Sequence, residues 1–243
     1  MGRAESLRRS GKEDAAVEVL KQLSKSHGDQ PVVLAATADL LRQLERFDEA
    51  VSFYDRSIAL YEEQDSPRWY SYYTRAIAHE RLGNWPKAEA DFRRALELNP
   101  DQPEVLNYLG YSLVEKQQNL DEALEMIERA VEARPESGFI VDSLGWVLYR
   151  LGRYEEAVEH MERAASLMAV DPVVNDHLGD VLWAVGRKTE ARFQWKRALS
   201  FITEDTPEQD ISGDRIRRKL EVGLDVVLDE EGAPPLKVAK EDG

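Results

Sequence analysis

The sequence contains no cysteine. That removes disulfides, thiolate metal sites and cysteine nucleophiles together, and it leaves the redox compartment open. No apolar run approaches the ~18 residues that span a bilayer, and the first residues do not show the charged-then-apolar layout of a secretory signal. Basic residues are outnumbered, with 32 Lys and Arg against 47 Asp and Glu and a formal net charge of -15. A nucleic-acid binder needs a basic stripe to neutralise phosphates and an anionic membrane surface asks for the same, so neither partner is expected. Neither Gly-x-Gly-x-x-Gly nor a Walker pattern is present to cradle a phosphate. No Gly-x-Ser-x-Gly elbow surrounds Ser143. His27, His79, His160 and His177 pair with no nucleophile, and His79 is expected as a satisfied histidine between helices. His177 with Asp176 and Asp180 offers one neutral nitrogen among carboxylates, too poor a set for a metal centre. No cofactor, no metal and no catalytic group is expected.

What is present is a repeat. Of the 243 residues, 42% are hydrophobic and 33% charged, enough for a core under a heavily solvated exterior. The stretch Gly138–Asp171 places Val141, Leu144, Gly145 and Leu148 at i, i+3, i+4 and i+7, one face of a helix. Gly152 breaks the pattern, and Ala157, Met161 and Ala164 begin a second helical face. Small residues at Gly145 and Ala157 allow two helices to cross closely, so the unit is a helical hairpin whose apolar faces need neighbours. Alanines equivalent to Ala157 form a series: Ala16, Ala50, Ala88, Ala123, Ala157 and Ala191. Four residues after each stands a large apolar one: Leu20, Tyr54, Phe92, Ile127, Met161 and Trp195. The spacing is about 34 residues.

This period and these positions resemble the tetratricopeptide repeat family over 1–205. The resemblance implies an all-α fold, a right-handed α-solenoid of stacked helical hairpins. The expected division is a partial repeat at 1–30 and full repeats at 31–68, 69–102, 103–137, 138–171 and 172–205. Pro100 and Pro135 stop second helices. Gly83, Gly152 and Gly186 close first helices in the left-handed conformation. Extra residues at 61–68 and 117–119 are expected in turns, where length changes cost little. The first repeat shows only the tail of its first helix, which suggests the C-terminal part of a longer array. An amphipathic helix within 206–228 is expected to shield the last repeat, and 229–243 reads as a flexible acidic tail.

In such repeats the first helix of each hairpin lines the concave side. The positions not used for packing there are Tyr70, Tyr73, Ile77 and Glu80, then Glu104, Asn107, Tyr111 and Val114, then Phe139, Asp142, Trp146 and Tyr149, and last Val173, Asp176, Asp180 and Trp183. The candidate partner-binding set is therefore Tyr70, Tyr73, Asn107, Tyr111, Phe139, Asp142, Trp146, Tyr149, Asp176, Asp180 and Trp183. Exposed aromatic clusters mark binding surfaces. Turned slightly in register, the same rings would be core. The three aspartates suit a basic or hydrogen-bond-donating partner, or form a solvated acidic face. The lysine and arginine clamp by which chaperone-binding members of the family hold a terminal carboxylate has no counterpart at these positions.

The expected function is a non-catalytic scaffold or adaptor that holds a peptide or protein segment in an aromatic groove. The alternatives are an accessory repeat domain of a larger enzyme and a cytoplasmic assembly scaffold. Residues 107–113 and 142–152 resemble the C-terminal repeats of bacterial tetratricopeptide proteins, some of which are periplasmic adaptors delivering substrates to a processing protease. That resemblance implies a bacterial, periplasmic protein, with the cytoplasm as the alternative, and the lack of a long apolar run implies no direct membrane insertion. Oligomeric state is left open.

Overall fold

A computed structural model describes residues 2–26, 30–204, 206 and 211–236. His27 and the tail beyond Leu236 lie outside the described residues. The chain divides into two compact units, Met1–Val105 and Leu106–Gly243.

The first unit carries α1 (Gly2–Arg9), α2 (Glu13–Ser26), α3 (Pro31–Gln43), α4 (Phe47–Glu63), α5 (Trp69–Arg81) and α6 (Trp85–Leu98). Helix α7 (Pro103–Glu115) belongs to the second unit from Leu106 onward. There follow α8 (Leu120–Ala133), α9 (Gly138–Leu151), α10 (Tyr154–Leu167), α11 (Pro172–Ala184) and α12 (Lys188–Phe201). Two shorter helices, α13 (Gly213–Val222) and α14 (Leu224–Glu230), complete it. Among the described residues there is no strand. Helices α3 and α4, α5 and α6, α9 and α10, and α11 and α12 pack as hairpins, and α4 on α5, α8 on α9 and α10 on α11 join successive hairpins.

Each boundary has a local cause. Prolines open α3 and α11 at their first positions, where a missing N–H costs nothing. Asp171 caps α11, its Oδ1 accepting from the amides of Val173 and Val174 at 2.9 and 3.0 Å. Helices α6 and α8 end at Leu98 and Ala133, two residues before Pro100 and Pro135. The first helix of each hairpin ends in one repeated turn. At Gly152 the amide donates to Tyr149 and the next amide, Arg153, reaches back to Leu148. The same pair of bonds occurs at Glu45, Gly83, Gln117 and Gly186. All five residues have positive φ, from 54° at Gln117 to 80° at Gly186. Glycine adopts this conformation freely, whereas Glu45 and Gln117 hold a conformation unfavourable to an L side chain.

The core follows the series of alanines and large residues. Ala16, Ala50, Ala88, Ala123, Ala157 and Ala191 are fully buried, as are Tyr54, Phe92, Ile127, Met161 and Trp195. These large side chains press on the small residue of the facing helix. A Cβ built on Gly145 would lie 2.2 Å from Met161 Sδ, and one built on Gly179 would lie 2.3 Å from Trp195 Nε1.

Two expectations are corrected. The extra residues before Arg68 do not all lie in a turn: α4 runs for 17 residues where α6, α8, α10 and α12 have 14. Ala59, Leu60, Glu62 and Glu63 favour helix and carry it almost one turn further. The stretch within 206–228 is two helices, because Gly223 (φ 93°, ψ 160°) interrupts the hydrogen-bond ladder, and the second runs on to Glu230.

Replacing Gln117 by glycine is expected to raise stability by about 1 kcal/mol through release of its left-handed strain. Gly179→Ala is expected to lower it by about 1–3 kcal/mol by overpacking Trp195. Urea denaturation of the two variants measures both.

Candidate functional site

In the second unit, helices α7, α9 and α11 set side chains of successive repeats against one another. Trp146 of α9 donates from Nε1 to Glu115 Oε1 of α7 at 2.6 Å. Its ring stacks on His177 of α11 (centroids 4.0 Å, planes 12° apart) and on Tyr149 (4.8 Å, 15°). His177 Nδ1 pairs with Asp142 Oδ2 across the same helices at 3.0 Å. Burial alone would pull the His177 pKa down, but Asp142, with Asp176 and Glu115, outweighs it and the net shift is upward. Tyr149 is pushed well above its ordinary value by burial and by the nearby Asp180 carboxylate.

The C-terminal helices add a second set of contacts. Lys219 of α13 is fully buried, and its Nζ donates to Asp176 at 2.7 Å and to Asp180 at 2.6 Å. Asp180 also accepts from Trp195 Nε1 at 2.9 Å and faces Arg215 at 3.6 Å. Burial raises the Asp176 pKa, Lys219 opposes it, and Asp180 adds to it. Trp183 lies under the break between α13 and α14. A Cβ on Gly223 would meet its ring at 2.6 Å, and its Nε1 donates to Asp225 at 2.8 Å.

The candidate residues therefore fall into three groups. Trp146, Tyr149, Trp183, Asn107, Asp142, Asp176 and Asp180 are buried, where the sequence reading had them free of packing. The reason is physical: most of the rings and carboxylates at these positions pair across neighbouring first helices and against α13 and α14, while Asn107 Oδ1 and Asp142 Oδ1 are buried without a partner among the described residues. Asp142 and Asp176 are thereby engaged by His177 and Lys219 and do not form an open acidic face. Tyr70 and Phe139 are exposed, and Tyr73 and Tyr111 are half-buried.

Tyr70 and Tyr73 belong to the first unit, where they cluster with Trp69. The Trp69–Tyr70 and Tyr70–Tyr73 ring centroids lie 5.6 and 6.3 Å apart. Burial raises the Tyr73 pKa to about 12. The sequence reading counted Trp69 only as the start of its repeat. His79 is buried with its Nδ1 unpaired among the described residues, which corrects the expectation of a satisfied ring, and burial lowers its pKa.

Tyr111, Trp146, Tyr149, Asp176 and Asp180 come together in the second unit around a cleft of ≈ 610 Å³. Tyr154, Arg150 and Arg215 also line it, as does the segment Ala233–Leu236. Sequence reasoning missed all of these. His177 was considered only beside Asp176 and Asp180, and its pairing with Asp142 could have been found by register, since the two lie 35 residues apart. The C-terminal lining could not, because it belongs to no repeat.

The fold and this inner face define a class, an all-α solenoid built of helical hairpins. Tetratricopeptide repeat models match 33–101, 73–138 and 115–172, together more than half of the sequence. The chain belongs to the tetratricopeptide repeat family, whose repeats are scaffolds for protein interaction. A TPR repeat-containing protein of Pseudomonas aeruginosa is 36% identical over 81 residues. That stretch is 33% of this chain and only 14% of the relative. A tetratricopeptide repeat protein of Parabacteroides merdae matches in fold with a TM-score of 0.73 at 18% identity, over 99% of this chain and 93% of that one. YrrB, described as a TPR protein with an unusual peptide-binding site, matches with a TM-score of 0.59 at 18% identity, over 78% of this chain and 95% of its own. No helix among the described residues is long and apolar enough to cross a membrane.

The raised His177 pKa has a consequence for stability. Its pairing with Asp142 contributes fully below the unfolded histidine value of about 6.5 and is lost as pH rises through the folded value. Urea midpoints followed across neutral pH should show this loss as the difference between the parent and His177→Gln. His79, shifted the opposite way, cancels in that difference.

Proposed function

We propose that this chain is a non-catalytic adaptor that holds an extended segment of another protein in the cleft of its second unit. The observation that carries the reading is the set of rings at that cleft. Tyr111 is half-exposed, and Trp146 and Tyr149, which line the same cleft, are fixed by stacking on each other and, at Trp146, by the Glu115 hydrogen bond. Rings held in one orientation offer contact area at little entropic cost, and tyrosine and tryptophan dominate binding energies where they are so placed. The buried carboxylates build the wall, and the rings make the contact.

Of the other candidates, Phe139 is exposed in the second unit and is proposed as a further contact residue there, while Tyr70 and Tyr73 are proposed as a separate contact surface of the first unit. Asp142 and Trp183 are proposed to act by holding the inner face in shape, through His177 and Asp225. Delivery of the held segment to a processing protease is supported by the resemblance of 107–113 and 142–152 alone.

Peptides selected from a displayed random library on the intact chain test the reading. Tyr111→Ala is expected to weaken them by about 2 kcal/mol, roughly 30-fold, with the melting temperature little changed. Peptides that bind parent and variant equally would overturn it.

A further inference from the structure

The cleft is lined partly by the chain's own C-terminal segment, Ala233-Pro234-Pro235-Leu236. We propose that the cleft takes an extended, proline-containing segment of a partner protein, and that residues 233–236 hold this place in the unpartnered chain. The inference rests on the reading of the cleft as a site for an extended peptide, and it names the chemistry of the occupant.

The carboxylates of the cleft do not select the occupant, because each is already engaged within the chain. Asp176 and Asp180 are both engaged by Lys219, and Arg215 is engaged by Asp180 at 3.6 Å and by Glu231 at 2.7 Å. Beside these pairs the cleft presents the aromatic surface of Tyr111, Trp146, Tyr149 and Tyr154, with the Arg150 guanidinium over the Trp146 ring at 5.9 Å. Consecutive prolines suit such a surface for two reasons. Their φ is preset, so an extended conformation loses little entropy on docking, and aromatic-lined grooves accept it through ring contacts. They also bring no N–H that would need a partner inside the cleft.

The way the segment is attached makes it displaceable. The Ala233 amide donates to Leu228 at 2.9 Å, and the Arg215–Glu231 pair anchors the turn just before it. Residues 234–236 make no hydrogen bond among the described residues. Ala233 and Leu236 are half-buried, while Pro234 and Pro235 are exposed. The segment thus covers the cleft in part, through Ala233 and Leu236, and its opening costs little free energy compared with the repeats behind it. A partner of the same chemistry meets a preformed surface and has only this light cover to remove.

The test uses the intact chain and a fluorescent Gly-Ala-Pro-Pro-Leu peptide followed by anisotropy, beside a control with both prolines changed to alanine. The proline peptide is expected to bind at least about tenfold tighter than the control, and to lose that binding in Tyr111→Ala. Intact chain carrying Pro234→Ser, Pro235→Ser and Leu236→Ser is expected to bind it about tenfold tighter than the parent, because the competent state is no longer covered. Equal binding of the two peptides, or equal affinity of parent and triple variant, overturns the inference. If library-selected peptides depend on Tyr111 while the proline peptide does not bind, this inference falls and the cleft reading stands. If no peptide depends on Tyr111, both fall.

Discussion

The second unit depends on one steric fact, repeated in three hairpins: a glycine on the first helix lies against a large side chain of the second. Added Cβ atoms at Gly110, Gly145 and Gly179 would meet Ile127, Met161 and Trp195 at 2.7, 2.2 and 2.3 Å. No side chain beyond hydrogen fits at those crossings without something moving. The close approach fixes how each first helix is rotated, and therefore which residues it turns toward the next hairpin. In α9 that rotation presents Asp142, Trp146 and Tyr149 together. The inner face is thus a consequence of packing on the other side of the same helix.

Once the helices are so rotated, the inner residues of adjacent repeats come within hydrogen-bonding and stacking range. Glu115, Trp146 and His177 come from three successive first helices and meet in one chain of contacts. A ring with a hydrogen bond on its edge and another ring on its face has few rotamers left. Its ordering has been completed on folding, so a ligand does not have to supply it. This differs from a groove of loose aromatics, and it explains how Trp146 can be only 8% exposed and still line a cleft.

Much of this was legible in the sequence because tetratricopeptide packing repeats itself. The alanine series, the large residue four positions on, and the glycines at 83, 152 and 186 each obey a local rule that reads directly from residue type. The candidate residues were placed on the right helices for the same reason. Their burial was not legible, since it depends on pairings between repeats, such as Asp142 with His177, and on side chains of α13 and α14. Lys219 shows the limit best. In the sequence it is one charge among several on DRIRRKLEV, and nothing local marks it as the residue that enters the core.

Lys219 also shows why the C-terminal helices sit where they do. A lysine and two aspartates removed from water gain little net stability, because desolvation offsets most of their attraction. Their effect is on position. Apolar residues such as Ile216 and Leu224 would bury themselves equally well in several seatings of an amphipathic helix. A seating that buried Lys219 away from Asp176 and Asp180 would leave charges buried and unpaired, at a cost of about 3–5 kcal/mol. The seating that satisfies Asp176 and Asp180 brings Gly223 onto Trp183 and Arg215 toward Glu231, and so sets Ala233–Leu236 at the cleft. The end of the chain is registered against the last repeat by charge, and the cleft takes its form from that registration.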